Sequence, residues 1–171
     1  MKPKDNYKFI AHLGNLEGVD EIRQSKPEYV ENAMCRGFDA SIDVWYLPES
    51  NCLFSGALLP TFFVEKRFLE SFHQNLWINC RDIPTLNYFI KNYKDTKLNY
   101  FLGFNGENSI TSLTSQNYIW TKSGDPIWPH SIPFQSKSYE YALSALSELQ
   151  GVSSNDIVTL KQKLSSQGGY F

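Results

Sequence analysis

Histidine and cysteine are scarce: three of each occur in the 171 residues. Cys35, Cys52 and Cys80 are odd in number and widely spaced, without the close Cys or His pairing of a zinc site or a disulfide framework, so they read as small buried thiols. Positive charge is also short, with 16 Lys and Arg against 18 Asp and Glu. The resulting formal charge of -2 leaves no cationic surplus for phosphate backbones, and general nucleic-acid binding is not expected. No run approaches the ~18 apolar residues of a membrane span. Residues 1–8 are polar and lack the apolar core of a secretory signal, so the expectation is a soluble cytoplasmic protein. Internal repeats, blocks of like charge and long Pro/Gly/Ser linkers are missing too, and residues 1–171 are read as one domain.

What is present is apolar and aromatic. A hydrophobic share of 42% with 15% aromatics is incompatible with a disordered composition and supports one well-filled core. Along the chain, strand-like and helix-like segments alternate. Residues 7–13 form an apolar-aromatic run ending at Gly14, followed by a polar loop over residues 15–26. Pro27 suits a first helical turn, with Tyr29, Val30, Ala33 and Met34 on one face and Gly37 as the stop. Residues 40–47 and 52–55 read as two strands joined by a turn, and residues 62–72 carry helical spacing through Val64, Phe68 and Leu69. A strand over 76–80, a helix capped by Asp82 and running to Tyr93, and a strand over 98–104 follow. Residues 118–121 and 131–134 are weaker strands. A helical face through Tyr139, Ala142, Leu143, Leu146 and Leu149 stops at Gly151, and Asn155 is positioned to cap a last helix through Leu164.

Parallel strands need crossovers and bury both faces, so this order predicts an α/β protein with helices over a mostly parallel sheet. Ligand chemistry then gathers at the carboxyl edge, where His12, Asp43, Ser55, Asn79 and Gly103 fall.

Several segments resemble a known family. Ile10-Ala11-His12-Leu13-Gly14-Asn15-Leu16-Glu17-Gly18 is similar to the His-Arg-Gly-Asn strand end that opens the glycerophosphodiester phosphodiesterase superfamily, which includes PI-PLC-like phosphodiesterases. Pro27-Glu28-Tyr29-Val30, Gly37-Phe38-Asp39 and Ile42-Asp43-Val44-Trp45-Tyr46 resemble the first helix and second strand of a small uncharacterised branch. Leu76-Trp77-Ile78, Leu98-Asn99-Tyr100-Phe101, Tyr118-Ile119-Trp120-Thr121 and Gly151-Val152-Ser153-Ser154 resemble further elements in the same order. The resemblance implies a compact or trimmed TIM-type (β/α) barrel, since 171 residues is short against the ~250 of an eight-fold barrel.

Position by position, the family's chemistry is largely replaced. His12 matches its first catalytic histidine, but the phosphate-binding arginine that follows is Leu13. The Glu-Asn pair before the first helix is Gln24-Ser25, and the Glu-x-Asp metal pair is Ser41-Ile42-Asp43. The Gly-His-Asp that brings the second histidine reads Gly56-Ala57-Leu58, the branch's His-Cys-Lys reads Asn79-Cys80-Arg81, and its Trp-His reads Leu102-Gly103. Cleavage of the family's type needs one group to remove a proton and another to protonate the leaving oxygen, and losing one costs ~10²–10⁴-fold. A hard divalent cation takes several oxygen ligands, and Asp43 alone supplies too few.

The expectation is therefore a catalytically inactive phosphodiesterase-like protein that binds a protein partner or a small phosphorylated or polar ligand through His12, Asp43, Asn79, Arg81 and Asn105. No cofactor is expected. The enzyme alternative is a metal-dependent phosphodiesterase with His12 as base and Asp43 on Mg²⁺ or Ca²⁺, its centre rebuilt from Glu17, Asp39, Glu107 or Asp125. A third reading is a structural or oligomerisation module, for which the many aromatics speak. His73 and His130 read as surface or cap residues, Trp45, Trp77 and Trp120 as core, and Lys2, Lys4, Lys8, Lys161 and Lys163 as solvated surface.

Overall fold

The computed structural model describes residues 6–103, 110–122, 124–135 and 143–166. In chain order the described elements are β1 (Lys8–Ala11), α1 (Pro27–Cys35), β2 (Asp39–Leu47), β3 (Cys52–Ser55), β4 (Phe62–Val64), α2 (Lys66–Ser71) and β5 (Leu76–Cys80). There follow α3 (Ile83–Tyr93), β6 (Asn99–Leu102), β7 (Ser112–Leu113), β8 (Ile119–Thr121), β9 (Ser131–Gln135), α4 (Leu143–Ser147), β10 (Gly151–Ser154) and α5 (Ile157–Ser166).

Side chains alternate between faces along a strand, and here both faces are buried. One face carries Phe9 and Ala11 of β1, Ala40, Ile42 and Val44 of β2, and Leu76, Ile78 and Cys80 of β5; it forms the larger core with Val30, Ala33 and Met34 of α1, Leu69 of α2, Phe89 of α3 and Leu160 and Leu164 of α5. The opposite face carries a separate cluster of Ile10, Trp77, Phe101, Trp120 and Ile132. Two cores on opposite sides of one sheet account for strands that read as near-continuous apolar runs.

The parallel strands are hydrogen-bonded in the order β6, β5, β2, β1, β10, β9, β8. Read from β1 outward in either direction, neighbours in space are neighbours in sequence, apart from the β3–β4 hairpin inserted after β2. That hairpin is possible because β2 is nine residues long: its start pairs with β1 through Ile10–Asp39 and Ala11–Ala40, and its end pairs antiparallel with β3 from Val44–Ser55 to Leu47–Cys52. β7 runs antiparallel to β8. Among the described residues β6 and β8 share no backbone ladder, yet Phe101 and Trp120 stack with ring centroids 4.7 Å apart and Trp77 lies 6.0 Å from Trp120. These ring contacts place β6 near β8, while the hydrogen-bonded strands form an open sheet among the described residues. Around β7, Ser115 N donates to Tyr100 O at 2.9 Å and Thr114 Oγ1 to Asn99 Oδ1 at 3.1 Å, and Ser112 Oγ donates to Leu102 O. Among the described residues no helix is long and apolar enough to cross a membrane.

Several elements differ from the sequence expectation. Residues 62–72 are not one helix: Phe62–Val64 extends β3 into a hairpin, with Phe63 56% exposed, and the helix begins only at Lys66. Gly151 does not merely stop a helix; it opens β10, whose four small residues are all buried and pair with β1, Ser153 and Ser154 pairing also with β9. Asn155 does not cap α5. Its Oδ1 accepts from Asn15 Nδ2 at 2.9 Å, and Asp156 Oδ1 accepts from Thr159 N at 3.4 Å instead. Cys80 is buried as expected, but Cys35 is exposed and Cys52 half-buried. Lys8 is no solvated lysine, since its Nζ lies 3.3 Å from Asp39 Oδ2. Lys161 lies over the Phe9 and Phe38 rings, covering the core with its stem. Tyr139, Ala142, Lys2 and Lys4 lie outside the described residues.

Candidate functional site

The inward-facing residues of β1, β2 and β5 change character as the strands approach their carboxyl ends. Ile10 gives way to His12, Ser41 is followed by Asp43 and Trp45, and Trp77 by Asn79 and Arg81. The β2–β5 register sets Asp43 directly beside Asn79, and Arg81 N donates to Val44 O at 3.0 Å, which carries the pairing one residue further. Four polar side chains are thereby lifted onto one end of the sheet.

Asp43 is fully buried. Asn79 Nδ2 donates to its Oδ1 at 2.7 Å, and Arg81 Nη1 stands 3.6 Å from its Oδ2. Its backbone N–H donates to Ser25 Oγ at 3.0 Å. The Arg81 guanidinium lies over the Trp45 ring, 5.5 Å from the centroid, and Trp45 Nε1 donates to Gly56 O at 3.1 Å. Trp45 is therefore a half-buried wall of the site rather than a core residue, whereas Trp77 and Trp120 are buried as expected. Trp128 is exposed.

His12 opens a short 3-10 turn, His12–Gly14, directly after β1. Leu13 takes a left-handed φ of 53° there, which frees its N–H to donate to Ser41 Oγ at 2.9 Å. Ser41 Oγ is also 3.4 Å from His12 Nδ1, and the imidazole packs against Phe134, 4.4 Å between centroids, with Trp120 at 6.4 Å. Burial among these rings pushes the imidazole down to about 4 from its ordinary 6.5, so His12 is neutral at pH 7. His12 and Asp43 do not pair with each other: the histidine engages Ser41, and the aspartate engages Asn79 and Arg81.

Of the acids suited to rebuilding a metal centre, Glu17 pairs with Arg36 at 3.2 Å. Asp39 sits at the opposite end of β2, accepting from Trp77 Nε1 at 3.0 Å and Asn75 Nδ2 at 2.8 Å, and Asp125 accepts from Thr111 Oγ1 at 2.5 Å. Glu107 and Asn105 lie outside the described residues. Among the described residues no group of three His, Cys, Asp or Glu side chains converges to hold a metal. The donor set at Asp43 also fits a divalent cation poorly, because a guanidinium already faces the carboxylate from 3.6 Å and would repel one. His73 Nδ1 meets Glu70 O at 2.8 Å just past α2, and His130 meets Gln150 on the surface.

Two residues that the family resemblance touched, but that were not put forward as binding residues, also border the site. Ser25, buried with a φ of 61°, ties the loop before α1 to Asp43. Asn15, fully buried, accepts from Asp20 N and donates to Asn155, joining that loop to the start of α5. Both lie in the polar loop of residues 15–26, and the resemblance set Asn15 in the segment compared with His-Arg-Gly-Asn and Ser25 at the second position of the Glu-Asn pair. Comparison of the chain with protein-family models, with curated proteins and with solved structures gave no match in any of the three.

Proposed function

We propose that this chain is a binding protein without hydrolytic activity, built on a trimmed phosphodiesterase-type (β/α) barrel, which takes a small phosphorylated or polar ligand or a protein partner at the carboxyl ends of its strands. The sequential order of seven parallel strands, and the contact of their two ends through Phe101 and Trp120, support the barrel. The observation that carries the functional reading is the state of Asp43. A carboxylate that would serve a metal or a proton transfer is instead fully buried, hydrogen-bonded by Asn79 and faced by the charge of Arg81.

His12 remains as one neutral imidazole able to accept a proton. Acid–base cleavage also needs a group to protonate the leaving oxygen, and neither an amide at Asn79 nor a guanidinium replaces it, because guanidinium does not release its proton near neutral pH. The test is hydrolysis of glycerophosphodiesters and an aryl phosphodiester with Mg²⁺ or Ca²⁺, wild type against His12→Ala. The expected outcome is no turnover above buffer in either protein. Metal-dependent turnover that His12→Ala abolishes would overturn the reading and favour a phosphodiesterase with a rearranged centre.

A further inference from the structure

Arg81 has a nine-tenths buried side chain, 9% exposed, and among its guanidinium nitrogens Nε and Nη1 have no hydrogen-bond acceptor. Buried N–H groups of a cation are nearly always bonded, so two such orphans on one guanidinium mark a place where an acceptor belongs. Beside it is a second orphan of opposite kind. Asn79 spends its Nδ2 on Asp43, which fixes the amide with Oδ1 pointing away from the carboxylate, and that oxygen has no donor. It is directed at the end of β6, where a Cβ on Gly103 would come within 2.4 Å of it. Gly103 has ordinary backbone angles, so its lack of a side chain serves space and not conformation.

We propose that Arg81 and Asn79 form the receptor for a small monocarboxylate that carries a hydroxyl or ammonium donor next to its carboxylate. The proposal rests on the binding-protein reading of this site and narrows its ligand. Arg81 takes the carboxylate oxygens, and Asn79 Oδ1 takes the neighbouring donor. Asp43 sets the charge of the ligand. Its negative charge lies 3.6 Å from the guanidinium and offsets it, and the second charge of a dianion is repelled by Asp43. The Trp45 ring on the face of Arg81 holds the guanidinium plane in place for the incoming anion.

The test is a titration of the full chain with glycolate, glycine, acetate and inorganic phosphate, following the Arg81 Nε–H resonance by NMR. Glycolate or glycine is expected to shift that resonance and to bind about fivefold more tightly than acetate, which lacks the donor. Phosphate at a pH where it is doubly charged is expected to bind about tenfold more weakly than glycolate. Which of glycolate and glycine binds more tightly tells hydroxyl from amino ligands. Gly103→Ala crowds Asn79 Oδ1 and is expected to erase the preference over acetate while acetate itself still binds. Arg81→Gln combined with Asp43→Asn removes both charges of this pair, is expected to remain folded, and is expected to lose every carboxylate.

An Arg81 resonance unmoved by all four probes overturns the proposal, as does phosphate binding as tightly as glycolate, or a preference over acetate that survives Gly103→Ala. These failures are separable from that of the broader reading. An inert chain that ignores the probes removes this receptor and leaves a protein partner, whereas diester hydrolysis removes the binding-protein reading and leaves the receptor to be judged on the titrations.

Discussion

At the scale of the residue, two charges decide how the site behaves. Arg81 and Asp43 are buried together, and removing one partner of such a pair strands the other, at a cost of about 3–5 kcal/mol. Arg81→Gln is expected to lower stability by that order, measured by chemical denaturation. Adding Asp43→Asn is expected to recover much of the loss, because the pair as a whole is worth little against uncharged residues of similar shape. A double variant no more stable than Arg81→Gln alone would mean that the two charges do not compensate each other. His12 gives a pH-dependent counterpart. The folded chain holds its imidazole near a pKa of about 4 where the unfolded chain has the ordinary 6.5, so between these values the unfolded state takes up a proton that the folded state refuses. The stability from a neutral His12 is complete above pH 6.5 and is lost as the pH falls toward 4. The full shift corresponds to at most about 3 kcal/mol, and less because the ring is only half-buried. The urea midpoint of the wild type is expected to drop further from neutral pH to about pH 4.5 than that of His12→Gln. Equal drops would show that His12 titrates as it does in water.

At the scale of the element, the β3–β4 hairpin depends on Gly56. Its φ of 154° and the 2.0 Å between a built Cβ and Leu59 O leave no room for a side chain, and Gly56 O also receives the Trp45 indole. Gly56→Ala is expected to cost about 2–4 kcal/mol and to lower Tm accordingly, through strain and close contact with backbone. The cap of α3 is smaller in effect: Asp82 accepts from Thr85 N at 2.8 Å, and Asp82→Ala is expected to cost about 1 kcal/mol.

This contrast between α3 and the hairpin also explains what the sequence made legible. Asp82 followed by Pro84 and a run of apolar residues at helical spacing is a purely local signal, and the helix lies where that signal puts it. The strands of β2 and β5 were equally plain, since burial of both faces selects branched and aromatic residues in a row. Phe62–Val64 misled because Val64, Phe68 and Leu69 have helical spacing by accident, while the hairpin pairing with β3 that makes the segment a strand is not visible in the spacing of its own residues. β10 was hidden for a different reason. Gly151, Val152, Ser153 and Ser154 are small enough to be buried on both sides yet have no apolar alternation to announce it. The site residues His12, Asp43, Asn79 and Arg81 were legible as strand-end polar residues. That Asp43 meets Arg81, while Ser41 two positions earlier on the same face of β2 meets His12, depended on the register between strands and not on local sequence.

At the scale of the whole molecule, the smaller core joins strands that are far apart in the sheet order. Ile10, Trp77, Phe101, Trp120 and Ile132 come from five different strands, and the stacking of Phe101 on Trp120 joins β6 to β8, which share no ladder among the described residues. Phe101→Leu and Trp120→Leu in a double-mutant cycle are expected to couple by about 0.5–1.5 kcal/mol, the range for aromatic pairs beyond simple burial. Additive losses would mean that these strands do not touch. At the carboxyl ends of β2 and β5, which lie side by side, the chain has an internal cation in Arg81 facing the buried carboxylate of Asp43. Calorimetric titration of the wild-type protein with Mg²⁺ and Ca²⁺ at neutral pH tests this most directly. The expected result is no saturable heat at millimolar cation, with Asp43→Asn indistinguishable from wild type. Stoichiometric binding of either ion that disappears in Asp43→Asn would contradict it.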